Sequence, residues 1–180
     1  YINSPETEIF HKGRNLYGLS YARQAIGESK TAIVVEGYMD VIALAQAGFK
    51  AAVAPLGTAL TESQIEELWK FMPEGEKRPV LCFDGDAAGQ NAAARAVDRV
   101  LPILKPDHSV AFAFLPERHD PDSLIKEEGR GAMERVLAGA VSLSDMLWLE
   151  ESKHRNLIQP EDKAGFKDSL IRKAKQIGDA

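Results

Sequence analysis

The run Val80-Leu81-Cys82-Phe83 narrows the possible folds more than any other stretch of this chain. Four consecutive apolar residues bounded by turn signals suit a short buried strand. The run stops at Asp84-Gly85-Asp86, and an alanine-rich stretch follows that reads as a helix from about Ala87 to Leu104, bent near Pro102 and ended by Pro106. A strand that ends in carboxylates and turns directly into a helix is the unit of an open α/β sheet. In such sheets chemistry collects where strands end. Gly85 between the two acids suggests an unusual backbone angle and close approach of a ligand. Taken alone, the pair also suits a helix N-cap beside a solvated turn acid.

The same unit recurs along the chain. Residues 31–35 form a β-branched run that ends at Glu36-Gly37. Residues 38–47 then have helical spacing at Val41, Ile42, Leu44 and Ala45, closed by Gly48. A second short strand is expected at 50–55, a turn at Leu56-Gly57-Thr58, and a helix up to Met72 opened by the capping box Thr61-Glu62-Ser63-Gln64. A fourth strand is expected at 109–115, and a helix near 123–128. This βαβαβαβ order predicts a mainly parallel four-stranded sheet flanked by helices on both faces. No strand signal appears after Gly131, so a C-terminal helical segment is expected there, broken around Ser142 and Pro160. Trp69 and Trp148 read most simply as helix core. Residues 1–30 are loosely patterned, with weak helical spacing at 16–26, and carry Lys12, Arg14, Arg23 and Lys30 against Glu6, Glu8 and Glu28.

Composition sets the outer limits. A chain of 180 residues, 44% hydrophobic and 27% charged, is large enough for one well-buried domain and a small appendage. No apolar run approaches bilayer-spanning length and no signal peptide opens the chain. The sole cysteine, Cys82, lies inside an expected strand, which excludes an internal disulfide and suits a reducing cytoplasm. Because the first residue is Tyr1 rather than Met, a piece of a longer protein is expected. A net charge of −5 argues against strong nucleic-acid binding by this piece alone, although a carboxylate cluster shifts the balance in the same direction.

Acids stand at the ends of several expected strands: Glu36, then Asp84 and Asp86, then Asp120 and Asp122, with Asp40 one turn beyond Glu36. In a parallel sheet those ends share one edge, so distant residues face one pocket. Several carboxylates at one edge repel each other strongly unless cations lie between them. An oxygen-only set without His or Cys selects Mg²⁺ or Mn²⁺ over Zn²⁺. Such ions generally hold phosphates, and Glu36 is placed to act as general acid or base or as a further ligand. His119, alone in a charged loop, reads as an orienting or exposed residue. Pro121 holds Asp120 and Asp122 in a defined relation.

Glu36-Gly-Tyr-Met-Asp40, Asp84-Gly-Asp-Ala-Ala-Gly89 and His119-Asp-Pro-Asp122, in this order and spacing, resemble a Toprim domain, and within that superfamily the bacterial replicative DNA primases of the DnaG type. Tyr1-Ile-Asn-Ser-Pro-Glu-Thr7, Phe10-His-Lys-Gly-Arg14 and Leu16-Tyr-Gly-Leu19 resemble the lead-in to the Toprim domain in that family. The resemblance covers residues 1 to about 130. It implies three parts: a lead-in at 1–30 from the preceding core subdomain, a Toprim metal-binding catalytic domain at 31–130, and the start of a helical subdomain at 131–180. It further implies DNA-dependent synthesis of short RNA primers from NTPs on a single-stranded DNA template, in the cytoplasm at the nucleoid and replisome. Glu36, Asp84 and Asp86 would be catalytic; Glu36, Asp40, Asp84, Asp86, Asp120 and Asp122 would hold Mg²⁺ or Mn²⁺; Asn3 and Lys12 would lie near nucleotide and template. Zinc would belong to an N-terminal domain and the replicative helicase to a C-terminal domain, both outside this sequence, as would most of the basic half of the core. The isolated piece is therefore expected to bind metal but prime weakly or not at all. The alternatives are another Toprim phosphotransfer protein (a topoisomerase or OLD-type nuclease), a DxD phosphatase of the haloacid dehalogenase type, and a non-catalytic nucleic-acid-binding scaffold.

Overall fold

A computed structural model describes residues 10–57, 59–153 and 155–178. The elements run β1 (Leu16–Tyr17), α1 (Leu19–Ser29), β2 (Ile33–Val34), α2 (Tyr38–Gln46), β3 (Ala52–Pro55), α3 (Glu62–Phe71), β4 (Val80–Phe83) and α4 (Ala87–Val100). There follow a 3₁₀ turn at Leu101–Ile103, β5 (Ala111–Phe114), α5 (Pro121–Glu128), α6 (Arg130–Ala138), β6 (Val141–Ser142), α7 (Leu143–Ser152) and α8 (Pro160–Ala174). No described helix is long and apolar enough to cross a membrane.

The strands form one six-stranded sheet in the order β1-β3-β2-β4-β5-β6. The four inner strands are mutually parallel, as the βα alternation predicts. The two outer strands are antiparallel additions of two residues each, β1 on β3 and β6 on β5. Neither was expected. Leu16–Tyr17 reads by sequence as the start of a helix, but that helix begins at Leu19, after Gly18 takes a φ of 80°. Val141–Ser142 falls at the break expected around Ser142, in a segment where no strand was expected. A two-residue edge strand has no periodicity of its own and exists because a neighbouring strand offers free N–H and C=O groups.

Side-chain alternation divides the interior into two layers. Val34, Val53, Leu81, Phe83 and Phe112 face α1, α3, α4 and α7, meeting Ile26, Leu68, Val97 and Met146. Ile33, Val35, Ala52, Ala54, Cys82 and Ala113 face α2, α5 and α6, meeting Leu44, Leu124 and Met133. Helices therefore cover both faces, and Cys82 is a buried small hydrophobe. Trp69 is core, with its indole N–H donating to the Ser109 carbonyl at 2.9 Å. Trp148 is not: it is 52% exposed and packs edge-to-face on Phe166. Pro102 ends α4 in a 3₁₀ turn, since a proline there has no N–H to continue the α ladder.

Two features of the topology place the site. The chain leaves β2 toward β3 on one side and β4 toward β5 on the other, so the connections diverge between β2 and β4. In open α/β sheets the crevice outside the carboxyl ends at such a point is the usual ligand site. Pairing Val34 with Leu81 also carries Glu36 to the level of Phe83, directly beside Asp84.

Candidate metal centre

Glu36 follows β2 at this divergence. Its Oε1 accepts the Asp84 N–H at 3.3 Å, tying the ends of β2 and β4 together across the crevice. Asp40 is 8% exposed in the first turn of α2, where its Oδ2 accepts the Gly37 N–H at 3.2 Å. Asp86 is the N-cap of α4 and accepts the Gly89 N–H on Oδ1 at 2.7 Å. Asp120 caps α5 in the same way, accepting the Ser123 N–H at 2.7 Å while Ser123 Oγ accepts the Asp120 N–H at 3.0 Å. The helix-cap reading of Asp86 is thus correct as far as it goes. Each of these cap bonds engages a single carboxylate oxygen.

Electrostatics link these groups more tightly than the bonds do. Burial raises the Asp84 pKa to about 7, reinforced in turn by the charges of Glu36, Asp40, Asp120 and Asp86. Burial likewise raises Asp40 to about 6, reinforced by Asp120 and then Asp122, against hydrogen bonds from the Gly37 and Asp122 main chain. Asp120 is lowered, chiefly by the Ser123 hydrogen bond. The Cys82 thiol beneath the site is pushed up to about 12 by burial and then by Asp84, Asp40 and Glu36. The six acids therefore share one electrostatic neighbourhood built from the ends of β2, β4 and β5. Asp122 is partly neutralised by Lys126 at 2.6 Å, one helical turn away, a partner visible in the sequence as an i,i+4 pair and not singled out there.

Oxygen donors alone, pressed together until two of them resist ionisation, fit a divalent cation, which would supply the missing positive charge. Among the described residues no three of these side chains are already gathered tightly enough to close on one ion. Lys12 sits in the turn before β1, where its carbonyl accepts Gln64 Nε2 at 3.0 Å beside the N-terminus of α3. That places it at the same sheet edge, on the side where β3 ends. Asn3 lies outside the described residues.

Gly85 has a different role from the one expected. Gly85 does not have a positive φ. It is required by contact, because a Cβ there would stand 1.9 Å from the Pro116 carbonyl oxygen. A Cβ on Gly89 would stand 2.3 Å from the Asp84 carbonyl oxygen. What approaches these glycines is the protein's own backbone. The His119 ring is held on both sides: Nδ1 lies 3.0 Å from the Glu117 carbonyl and Nε2 3.2 Å from Glu127 Oε2, and both contacts raise its pKa.

Acids at the carboxyl ends of adjacent parallel strands, around a divergence of connections, fit a Toprim domain, and residues 30–113 match the Toprim domain family. The chain is 44% identical to the DNA primase of Escherichia coli (strain K12) over 164 residues, 91% of this chain. It is 54% identical to the DNA primase of Pseudomonas aeruginosa over 132 residues, 73% of this chain. The chain spans only 28% and 19% of the lengths of these two relatives. Among solved structures, a DnaG catalytic core superposes with a TM-score of 0.89 at 41% identity, covering 99% of this chain and 56% of that one. A DnaG primase catalytic domain bound to single-stranded DNA superposes with a TM-score of 0.88 at 40% identity, with the same coverage. The chain is thus homologous to part of the catalytic core of the DnaG-type DNA primases and carries a Toprim match over residues 30–113.

Proposed function

We propose that this chain supplies the metal-binding catalytic part of a DNA primase, a nucleotidyltransferase that makes short RNA primers from NTPs on single-stranded DNA for replication. The observation that carries the reading is Asp84, whose pKa is raised to about 7 by burial and by four neighbouring acids drawn from three strand ends. A group so unfavourably placed when ionised is expected where a cation completes the site. Residues 31–130 carry the chemistry, and 1–30 and 131–180 flank it as a lead-in and the start of a helical subdomain.

In this reading Asp84, Asp86, Asp120 and Asp122 hold Mg²⁺ or Mn²⁺, Asp40 assists, and Glu36 is a ligand or the group that moves a proton. Ions held there would supply alignment of a 3′-hydroxyl with the α-phosphate of a nucleotide and would offset the negative charge that develops on the pyrophosphate leaving group. Glu36 orients the Asp84 main chain, the α4 and α5 caps hold Asp86 and Asp120 at helix N-termini, and Lys12 offers a point charge to phosphate oxygens. Asn3 is assigned to nucleotide and template by the family resemblance alone. Zinc and the replicative helicase belong to other parts of the longer protein, which acts in the cytoplasm. This piece alone primes weakly or not at all.

The test is an NMR titration of the chain with Mn²⁺. Saturable paramagnetic broadening centred jointly on Glu36, Asp84, Asp86, Asp120 and Asp122, weakened in Glu36→Gln and Asp84→Asn, is expected. Broadening confined to Asp84 and Asp86 and indifferent to Glu36→Gln would point to a phosphatase-like site. Its absence would leave a scaffold.

A further inference from the structure

The loop carrying Asp84 and Asp86 is hydrogen-bonded to the loop leading to Asp120 and Asp122 through the backbone of Gly85. Its N–H donates to the His119 carbonyl at 3.1 Å, and its carbonyl accepts the Arg118 N–H at 3.3 Å. The Pro116 carbonyl rests where a side chain on Gly85 would otherwise be. The turn at 116–119 is closed by the His119 N–H donating to the Pro116 carbonyl at 3.0 Å. To make that turn Arg118 holds a φ of 67°, the left-handed region that residues with a Cβ rarely adopt. Such a conformation persists where its surroundings over-determine it. Here the surroundings are the two backbone bonds to Gly85 and the His119 ring, held between the Glu117 carbonyl and Glu127 on α5.

The chain then passes directly from His119 to Asp120, the cap of α5. An error in the turn is therefore transmitted at once to Asp120 and Asp122, while Gly85 transmits it to Asp84 and Asp86. Hard cations need oxygen ligands at about 2.0–2.6 Å, so a pair of loops that share ions must keep a fixed separation. We propose that the turn at 116–119 is the spacer that sets this separation, and that Arg118 and His119 are positioning residues of the metal centre. The proposal rests on the reading of the acids as cation ligands. Because the turn acts through backbone atoms, the Arg118 guanidinium plays no part in it.

That distinction gives the test. In the 180-residue chain, Arg118→Gly removes the charge but accepts a positive φ freely, whereas Arg118→Pro removes the N–H that reaches Gly85 and forbids that φ. Mn²⁺ affinity is measured by electron paramagnetic resonance of the free ion, with thermal unfolding and hydrogen exchange of the Gly85 amide alongside. Arg118→Gly is expected to bind like wild type. Arg118→Pro is expected to lose about tenfold in affinity, the scale of lost support around a metal ligand, and to exchange the Gly85 amide faster. If Arg118→Pro does not fold, Glu127→Ala serves: a smaller loss of affinity without change in melting temperature, restored in Glu127→Gln, which keeps an acceptor oxygen. Wild-type affinity in a folded Arg118→Pro or in Glu127→Ala overturns the spacer, and so does equal loss in Arg118→Gly, which would assign the effect to charge. Absence of Asp84-dependent Mn²⁺ binding in the wild type overturns the metal reading itself and the spacer with it.

Discussion

At Asp84, burial and four neighbouring carboxylates act in the same direction, and the group titrates at about 7 instead of near 4. A cation must displace that proton, so affinity for Mn²⁺ is expected to climb between about pH 6 and 8 and then level off. Glu36 is the largest of the charge contributions after burial. Glu36→Gln is therefore expected to move the Asp84 titration to lower pH, while the amide oxygen keeps the Asp84 N–H satisfied. Carboxyl ¹³C shifts followed against pH check both statements; an unmoved Asp84 curve in Glu36→Gln would refute the coupling. Sequence reading found these acids because carboxylates after short apolar runs are conspicuous. It mistook the reason for Gly85, since the approach of the Pro116 carbonyl is a contact between loops some thirty residues apart.

At the level of single elements, α4 has two demands on one residue. Asp86 is both the helix cap and a proposed ligand, and the two roles respond differently to substitution. Asn caps as well as Asp, so Asp86→Asn is expected to keep the melting temperature and lose Mn²⁺ affinity. Asp86→Ala is expected to lose both, with about 1 kcal/mol of stability from the missing cap. Calorimetry and metal titration on the same samples separate them. Helix boundaries were legible to within a few residues wherever a cap was written into the sequence: Thr61 with Gln64 opens α3, and Pro121 stands at the first position of α5. Where the signal was weak spacing alone, at 16–26, the assignment slid by three residues and a strand was missed. Leu16 is nevertheless buried, which only its pairing opposite Pro55 explains.

For the molecule as a whole, the acid edge costs stability that a bound cation is expected to restore. Asp84 and Asp40 have folded pKa values of about 7 and about 6, above the unfolded value near 4. Their ionised forms are disfavoured in the folded state, so stability is fully present below about pH 4 and is lost as pH rises through 6 and 7. Asp120 acts oppositely, but its loss falls below that window because its pKa is lowered. In chelator the chain is expected to melt higher at pH 5.5 than at pH 8, each kcal/mol corresponding to roughly 2–4 °C. Saturating Mn²⁺ at pH 8 is expected to reverse the order. Scanning calorimetry at the two pH values, with and without the ion, decides this; identical curves would contradict the strained-edge account.

The sequence by itself determined the alternation of four short buried strands with helices, the parallel inner sheet that follows from it, and the acids at its carboxyl edge. Those properties are local: apolar runs, caps, turn residues and their spacing act within a few positions along the chain. Tertiary structure alone decided the two antiparallel edge strands, the exposure of Trp148, the interlock of Gly85 with the turn at 116–119, and how strongly each carboxylate resists ionisation. Each of these depends on which distant groups come within reach. Hydrogen bonds and Coulomb terms depend on distance in space, which the order of residues along the chain does not contain.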